Sequence, residues 1–337
     1  MKRLLLLVAL LLAVGVSWAI AQNLDSRSAI PMASKETAKV ISAAPKQSVE
    51  VGLVQWGRDL EAAQKQSAES GKPILVLFQE VPGCAGCQKF GREVLSQPLI
   101  VDAIQNEFIP VLVYNNRSTG QDAALLKRFK EPAWNYQVLR FLNSDAKDVI
   151  PRKDQVWTTD AVSRRLVDAL EKTKRPVPKY LQSLVVSSSP TGQQLAAFAM
   201  HCFWTGEYEL GKIEGVTETE AGWFDGREVT LVRYDPSMLT LDSLAKQAAQ
   251  VRCAEKMYTP SGKGIGRLAA GKLDKSYRSA SASDQKRQLS RWPSLSTVPA
   301  INSTQLTKLN ALLPKNRETA LEWLSPSQRS WLAQKTK

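Results

Sequence analysis

Residues 74–95 read ILVLFQEVPGCAGCQKFGREVL. Ile74–Phe78 is an unbroken apolar run, the pattern of a strand buried on both faces. Pro82 and Gly83 then turn the chain, and a helix is expected from about Cys87 to Leu95, ending near Pro98. Strand, turn, Cys84-Ala85-Gly86-Cys87, helix is the order that a redox dithiol needs. The first cysteine meets the unpaired N–H groups at a helix start, which favour its thiolate, and the two-residue spacer brings the second sulfur within disulfide reach. A structural disulfide or half of a zinc site are the other readings of the same pair. Zinc needs four ligands, and neither a second cysteine pair nor a histidine lies nearby in sequence, so no metal site and no cofactor are expected.

Working outward, DLEAAQKQSAES (residues 59–70) predicts a helix stopped by Gly71 and Pro73. A helix over about Leu99–Asn106, a buried strand Phe108–Tyr114, and a hairpin from Val138–Leu142 through NSDAKD to Val149-Ile150 follow. Thr159-Asp160 starts a helix that runs to about Lys172. On these residues, 56–150 resemble a thioredoxin-like domain. VPGC is also similar to a bacterial thioredoxin-like group named for a VPG-U-x-x-T motif, with cysteine at both motif ends here. A thioredoxin carries a proline just before the strand read as Val138–Leu142. That position is about Gln137 here, and the nearest proline is Pro132.

The second half turns on LAAFAMHCFWTGE, residues 195–207, which holds the chain's single histidine, His201, directly before Cys202. Strand, cysteine, helix recurs, so Cys202 is a candidate nucleophile, with Phe203 and Trp204 able to line an apolar pocket or to be plain core. His201 is expected to be buried or hydrogen-bonded rather than paired with Cys202, because adjacent residues of extended chain face opposite ways. The segment resembles the A-type peptide methionine sulfoxide reductases, through Cys202-Phe203-Trp204 with Glu207, Leu210–Val216, Ala221-Gly222-Trp223, EVTLVRYDP (228–236) and SYRS (276–279). The resemblance implies a ferredoxin-like α/β sandwich. It also implies Cys202 as nucleophile, Phe203 and Trp204 around the substrate methyl, Glu228 as proton donor to the sulfoxide oxygen, and Tyr277 as a supporting hydroxyl. Cys253 is the candidate resolving cysteine. The family's glycine is His201 here, and the segment before its glutamate is shortened to Phe224–Arg227.

The full chain of 337 residues, 43% hydrophobic and 23% charged, suits two folded domains. The expected division is a signal peptide over 1–21, a polar tether over 22–50, a thioredoxin-like domain with a helical extension over 51–186, a linker over 187–194, a reductase-like domain over 195–290, and a helical tail over 291–337. MKR, an apolar run and a small-residue end at Ala21 predict export to a bacterial periplasm or exterior, with no stable membrane span after cleavage. An uncleaved anchor is the alternative. The net charge of +13 comes from scattered lysines and arginines without aromatic interleaving, which argues against nucleic acid.

Together these readings predict an exported oxidoreductase that reduces methionine sulfoxide, free or in proteins, through Cys202. It would be regenerated by Cys84/Cys87 and ultimately by an external thiol reductant. The alternatives are a general thiol–disulfide oxidoreductase with a non-catalytic second domain, or an envelope protein with two structural disulfides.

Overall fold

A computed structural model describes residues 47–133, 137–189, 192–251, 254–264 and 267–335. The expected leader and most of the expected tether lie outside them, as does Cys253. Among the described residues no helix is long and apolar enough to cross a membrane.

The first lobe runs α1 (Leu60–Ser70), β1 (Ile74–Gln79), α2 (Ala85–Glu93), α3 (Pro98–Glu107), β2 (Ile109–Tyr114), α4 (Gly120–Phe129), β3 (Val138–Leu142), β4 (Lys153–Asp154), α5 (Thr159–Lys172) and α6 (Lys179–Ser188). The sheet order is β2-β1-β3-β4, with β1 parallel to β2 and antiparallel to β3. This is a thioredoxin-like arrangement. Every residue of β1 is buried, because alternate side chains feed two cores. Leu75 and Leu77 join Phe90, Leu99, Phe141 and Leu166 on one face, while Ile74, Val76 and Phe78 join Leu60, Leu126 and Val138 on the other. Asp59 caps α1 by accepting from the Ala62 amide at 3.0 Å, and Gly71 closes it with a φ of +67°. The hairpin after β3 forms, but its ladder partner is Lys153-Asp154, with Asp148 in a single bridge to Leu142.

The second lobe follows β5 (Gln194–Met200), α7 (Phe203–Leu210), β6 (Val216–Phe224), β7 (Arg227–Tyr234), α8 (Leu241–Gln250) and β8 (Ala254–Thr259). Its sheet order, β6-β7-β5-β8 with antiparallel neighbours throughout, is the expected ferredoxin-like βαββαβ pattern. Short strands β9 (Ala269–Lys272) and β10 (Arg278–Ser279) extend its two edges. Asp225 and Gly226, both at positive φ (53° and 70°), make the two-residue turn joining β6 to β7.

Residues 293–335 form α9 (Pro293–Ser296), α10 (Ser303–Leu312), α11 (Arg317–Leu321) and α12 (Pro326–Lys335). The segment is helical and ends in α12. It is not a free tail. From α10, Lys308 Nζ donates to the Gly211 and Ile213 carbonyls beyond α7 at 2.8 and 2.9 Å, and Thr307 Oγ1 accepts from the Thr219 amide. On the other side, Asn302 Nδ2 donates to Ser183 Oγ on α6, and Ser327 Oγ donates to Asp102 on α3 at 2.5 Å. The two lobes are thereby braced. Helix α6 runs two residues into the segment 187–194 that the sequence suggests as a linker. Pro178 sits at its N-cap, and Tyr180, Leu181 and Leu184 bury one face at helical spacing.

Candidate active sites

Cys84 is the N-cap of α2 and exposed; Cys87, one turn in, is fully buried. Their sulfurs lie 3.5 Å apart as free thiols. The Cys87 amide, aimed back at the helix start, holds the Cys84 thiol below its usual range against a smaller opposing effect of burial. Burial pushes Cys87 up to about 12, and the neighbouring sulfur adds to the effect. One thiol is therefore poised to attack and the other is held in reserve, the division of labour that exchange through a mixed disulfide requires.

Two carboxylates secure the loop. The Gly83 amide donates to Glu50 Oε1 at 2.9 Å and the Cys84 amide to Glu80 Oε2 at 3.2 Å. Burial alone would raise the Glu50 carboxyl, but bonds from the Ser48 hydroxyl and the Gly83 amide outweigh it and lower it. Gly91 is required where the turn Val49–Val51 rides on α2, since a Cβ there would lie 1.8 Å from the Val49 carbonyl oxygen. At the position where a thioredoxin carries proline, Gln137 is buried and its amide bonds both the N–H and the C=O of Val156, each at 2.9 Å. The Val81–Pro82 peptide is cis.

The second thiol, Cys202, is half-buried at the N-cap of α7. Glu228 Oε2 accepts from the amide of Phe203 at 2.8 Å, which brings its carboxylate to the same helix terminus. Phe203 is buried and meets Trp204 edge-on at 5.8 Å and Trp223 at 5.5 Å. Trp223 pairs directly across the ladder with Glu228 and is exposed. A sulfur, a carboxylate and three aromatic rings thus gather at one end of α7. Behind them, buried Glu207 accepts from Lys286 Nζ at 2.6 Å and from the Lys286 amide at 2.7 Å; burial pushes its carboxyl up, with Lys286 opposing.

Two expected positions differ. Tyr277 packs on Gly222 and donates to Glu220 Oε1 at 2.9 Å. Glu220 and Gly222 alternate with Ala221 and Trp223 along β6, so this tyrosine lies on the sheet face opposite α7 and away from Cys202. His201 is exposed rather than buried, on the wall of an open cleft with Thr205, Glu209 and Glu255. The extended geometry at Cys202 (φ −147°, ψ 118°) turns its neighbour outward. Cys253, the expected resolving cysteine, lies outside the described residues.

Glu80, Glu50 and Trp223 were not picked out from sequence as site residues. No spacing rule points to the two glutamates. Trp223 was within reach: Asp225-Gly226 between two strands marks a two-residue hairpin, and that register sets residue 223 opposite 228.

Residues 55–142 match the thioredoxin-like family. A peptide methionine sulfoxide reductase of Brassica napus is 30% identical over 93 residues, which cover 21% of this chain and 36% of that protein. The chain therefore spans about a third of the length of that curated relative. Among solved structures, a DsbH oxidoreductase is similar with a TM-score of 0.30 at 17% identity, over 41% of this chain and 98% of the other.

Proposed function

We propose that the protein is an exported thiol-based reductase in which Cys202 removes oxygen from methionine sulfoxide and Cys84/Cys87 supplies the electrons. One observation carries this reading: the Glu228 carboxyl and the Phe203, Trp204 and Trp223 rings converge on the helix end that bears Cys202. The aromatic rings suit a methyl group beside the reacting sulfur. Cys202 attacks the sulfoxide sulfur, and Glu228 protonates the departing oxygen, which would otherwise leave as a very poor leaving group. The S–O bond breaks and the oxygen leaves as water, with the substrate sulfur joined to the Cys202 sulfur. Water then attacks Cys202, the sulfur–sulfur bond breaks, the thioether is released, and Cys202 is left as a sulfenic acid. A second thiol, for which Cys253 is the candidate, condenses with it and releases water. Cys84 then attacks the resulting disulfide, and Cys87 displaces it to leave an 84–87 disulfide for an external thiol reductant.

The stoichiometry tests this. Reduced protein given excess methionine sulfoxide peptide, without added reductant, should form one thioether for each dithiol, hence two per chain. Cys84→Ser should stop at one and Cys202→Ser at none. Unchanged consumption by Cys202→Ser rejects the reading. The position of Tyr277, on the far sheet face, favours a second reading: a general dithiol oxidoreductase with a non-catalytic second lobe. That one wins if the wild type consumes no sulfoxide yet reduces disulfides of other proteins through Cys84.

A further inference from the structure

Among the described residues, one group of soft and acidic donors is close enough to share a cation. The Glu80 carboxylate and the Cys84 and Cys87 sulfurs all lie within 4.8 Å of one another. We propose that the reduced dithiol, with Glu80, binds a divalent zinc ion, so that metal and oxidant compete for the same two sulfurs. All three donors belong to the first lobe, so the site stands independently of sulfoxide reduction at Cys202.

Geometry carries it. Zinc–sulfur bonds of about 2.3 Å and a zinc–carboxylate bond of about 2.0 Å in a tetrahedron place donor atoms about 3.5–3.8 Å apart. The two sulfurs already stand at 3.5 Å. The Cys84 amide bonds Glu80 Oε2 at 3.2 Å, which turns that carboxylate toward the sulfurs, as an outer hydrogen bond commonly orients a metal ligand. Two thiolates and one carboxylate around a divalent cation leave a single net negative charge. That charge falls at the N-terminus of α2, where the helix dipole favours it. Among the described residues three protein ligands converge, and Cys84 is exposed. The fourth position is therefore open to water, and the site is of the exchangeable kind rather than the closed structural kind.

The chemistry balances without electron transfer. Binding releases the thiol protons and forms two metal–sulfur bonds; no group is oxidised. Forming the 84–87 disulfide removes both thiolates and ejects the ion. Bound zinc conversely ties up the lone pairs that an oxidant or a partner disulfide must reach.

The test uses the full chain with Cys202 and Cys253 changed to serine, reduced and kept free of oxygen. Zinc is titrated against a chromophoric chelator, and cobalt is used in parallel for its thiolate charge-transfer absorption. The proposal expects one ion per chain, protection of both cysteines from alkylation, and loss of binding on disulfide formation. Glu80→Gln keeps an acceptor for the Cys84 amide and should weaken binding by at least about 10–100-fold. Absence of binding, equal binding by the oxidised chain, or undiminished affinity in Glu80→Gln would each overturn it.

Discussion

Lys308 offers a measurement of how the brace between the lobes is held. Its side chain is buried, only 4% exposed, and its ammonium donates to the Gly211 and Ile213 carbonyls. Burial lowers its pKa from 10.5 to about 7; Glu214 opposes the shift and Lys179 adds to it. The difference of about 3.5 units corresponds to roughly 5 kcal/mol at full development. Below about pH 7 both folded and unfolded chains carry the proton, and the folded one bears the full penalty. Between about pH 7 and about pH 10 the unfolded chain binds more protons. Stability should therefore rise with pH, by roughly 1.4 kcal/mol per unit, and level off above that window. Lys308→Met removes the titration and also two hydrogen bonds that cost about 1–3 kcal/mol each to lose. The wild-type advantage over the variant should consequently grow by about 2 kcal/mol between pH 7 and pH 9. Denaturant midpoints of both proteins, measured across that range in reductant, give the difference directly. A difference that stays flat would show that Lys308 keeps its proton inside the fold, and the effect assigned to its burial would be refuted.

Other outcomes follow from the thiol sites. Glu228→Gln retains an acceptor for the Phe203 amide but loses the transferable proton, so sulfoxide turnover should fall about 10²–10⁴-fold with the fold unchanged; steady-state rates and circular dichroism check this. In the reduced chain near neutral pH, iodoacetamide should label Cys84 while Cys87 stays unmodified, and equal labelling by peptide mass mapping would contradict the burial asymmetry. Gly91→Ala must push the Val49 carbonyl away from α2, which should cost about 1–3 kcal/mol of overpacking strain, read as a lower denaturant midpoint.

Long apolar or well-capped stretches were legible from the residues themselves. Ile74–Phe78 and Thr159–Lys172 needed only the hydrophobic period and the caps. Helix α6 was obscured because PVP at 176–178 reads as a break, although proline before a helix start is compatible with one. Helix α4 was missed because its apolar face is short: within it, Leu126 alone of the large apolar residues is fully buried. The two cysteine contexts were readable because strand, cysteine and helix are consecutive. Their partners were not, since Glu50 reaches Gly83 across 33 positions and Glu228 reaches Phe203 across 25. Tyr277 was misplaced for a related reason: a motif gives its position along the chain, but only the pleat of β6 decides which side of the sheet it covers.

The placement of α10 and α12 bears on whether the halves are portable modules. Cutting between Ser189 and Gln194 would sever a single short crossing, yet it would assign residues 303–335 to one fragment and strip the other of the surface they cover. An excised thioredoxin-like piece would lose the bonds that Ser183 on α6 and Asp102 on α3 receive from Asn302 and Ser327, and the remaining piece would present α10 with nothing on its Ser183 side. Neither part can be transplanted as it stands; a grafted version would have to carry a substitute for its missing neighbour.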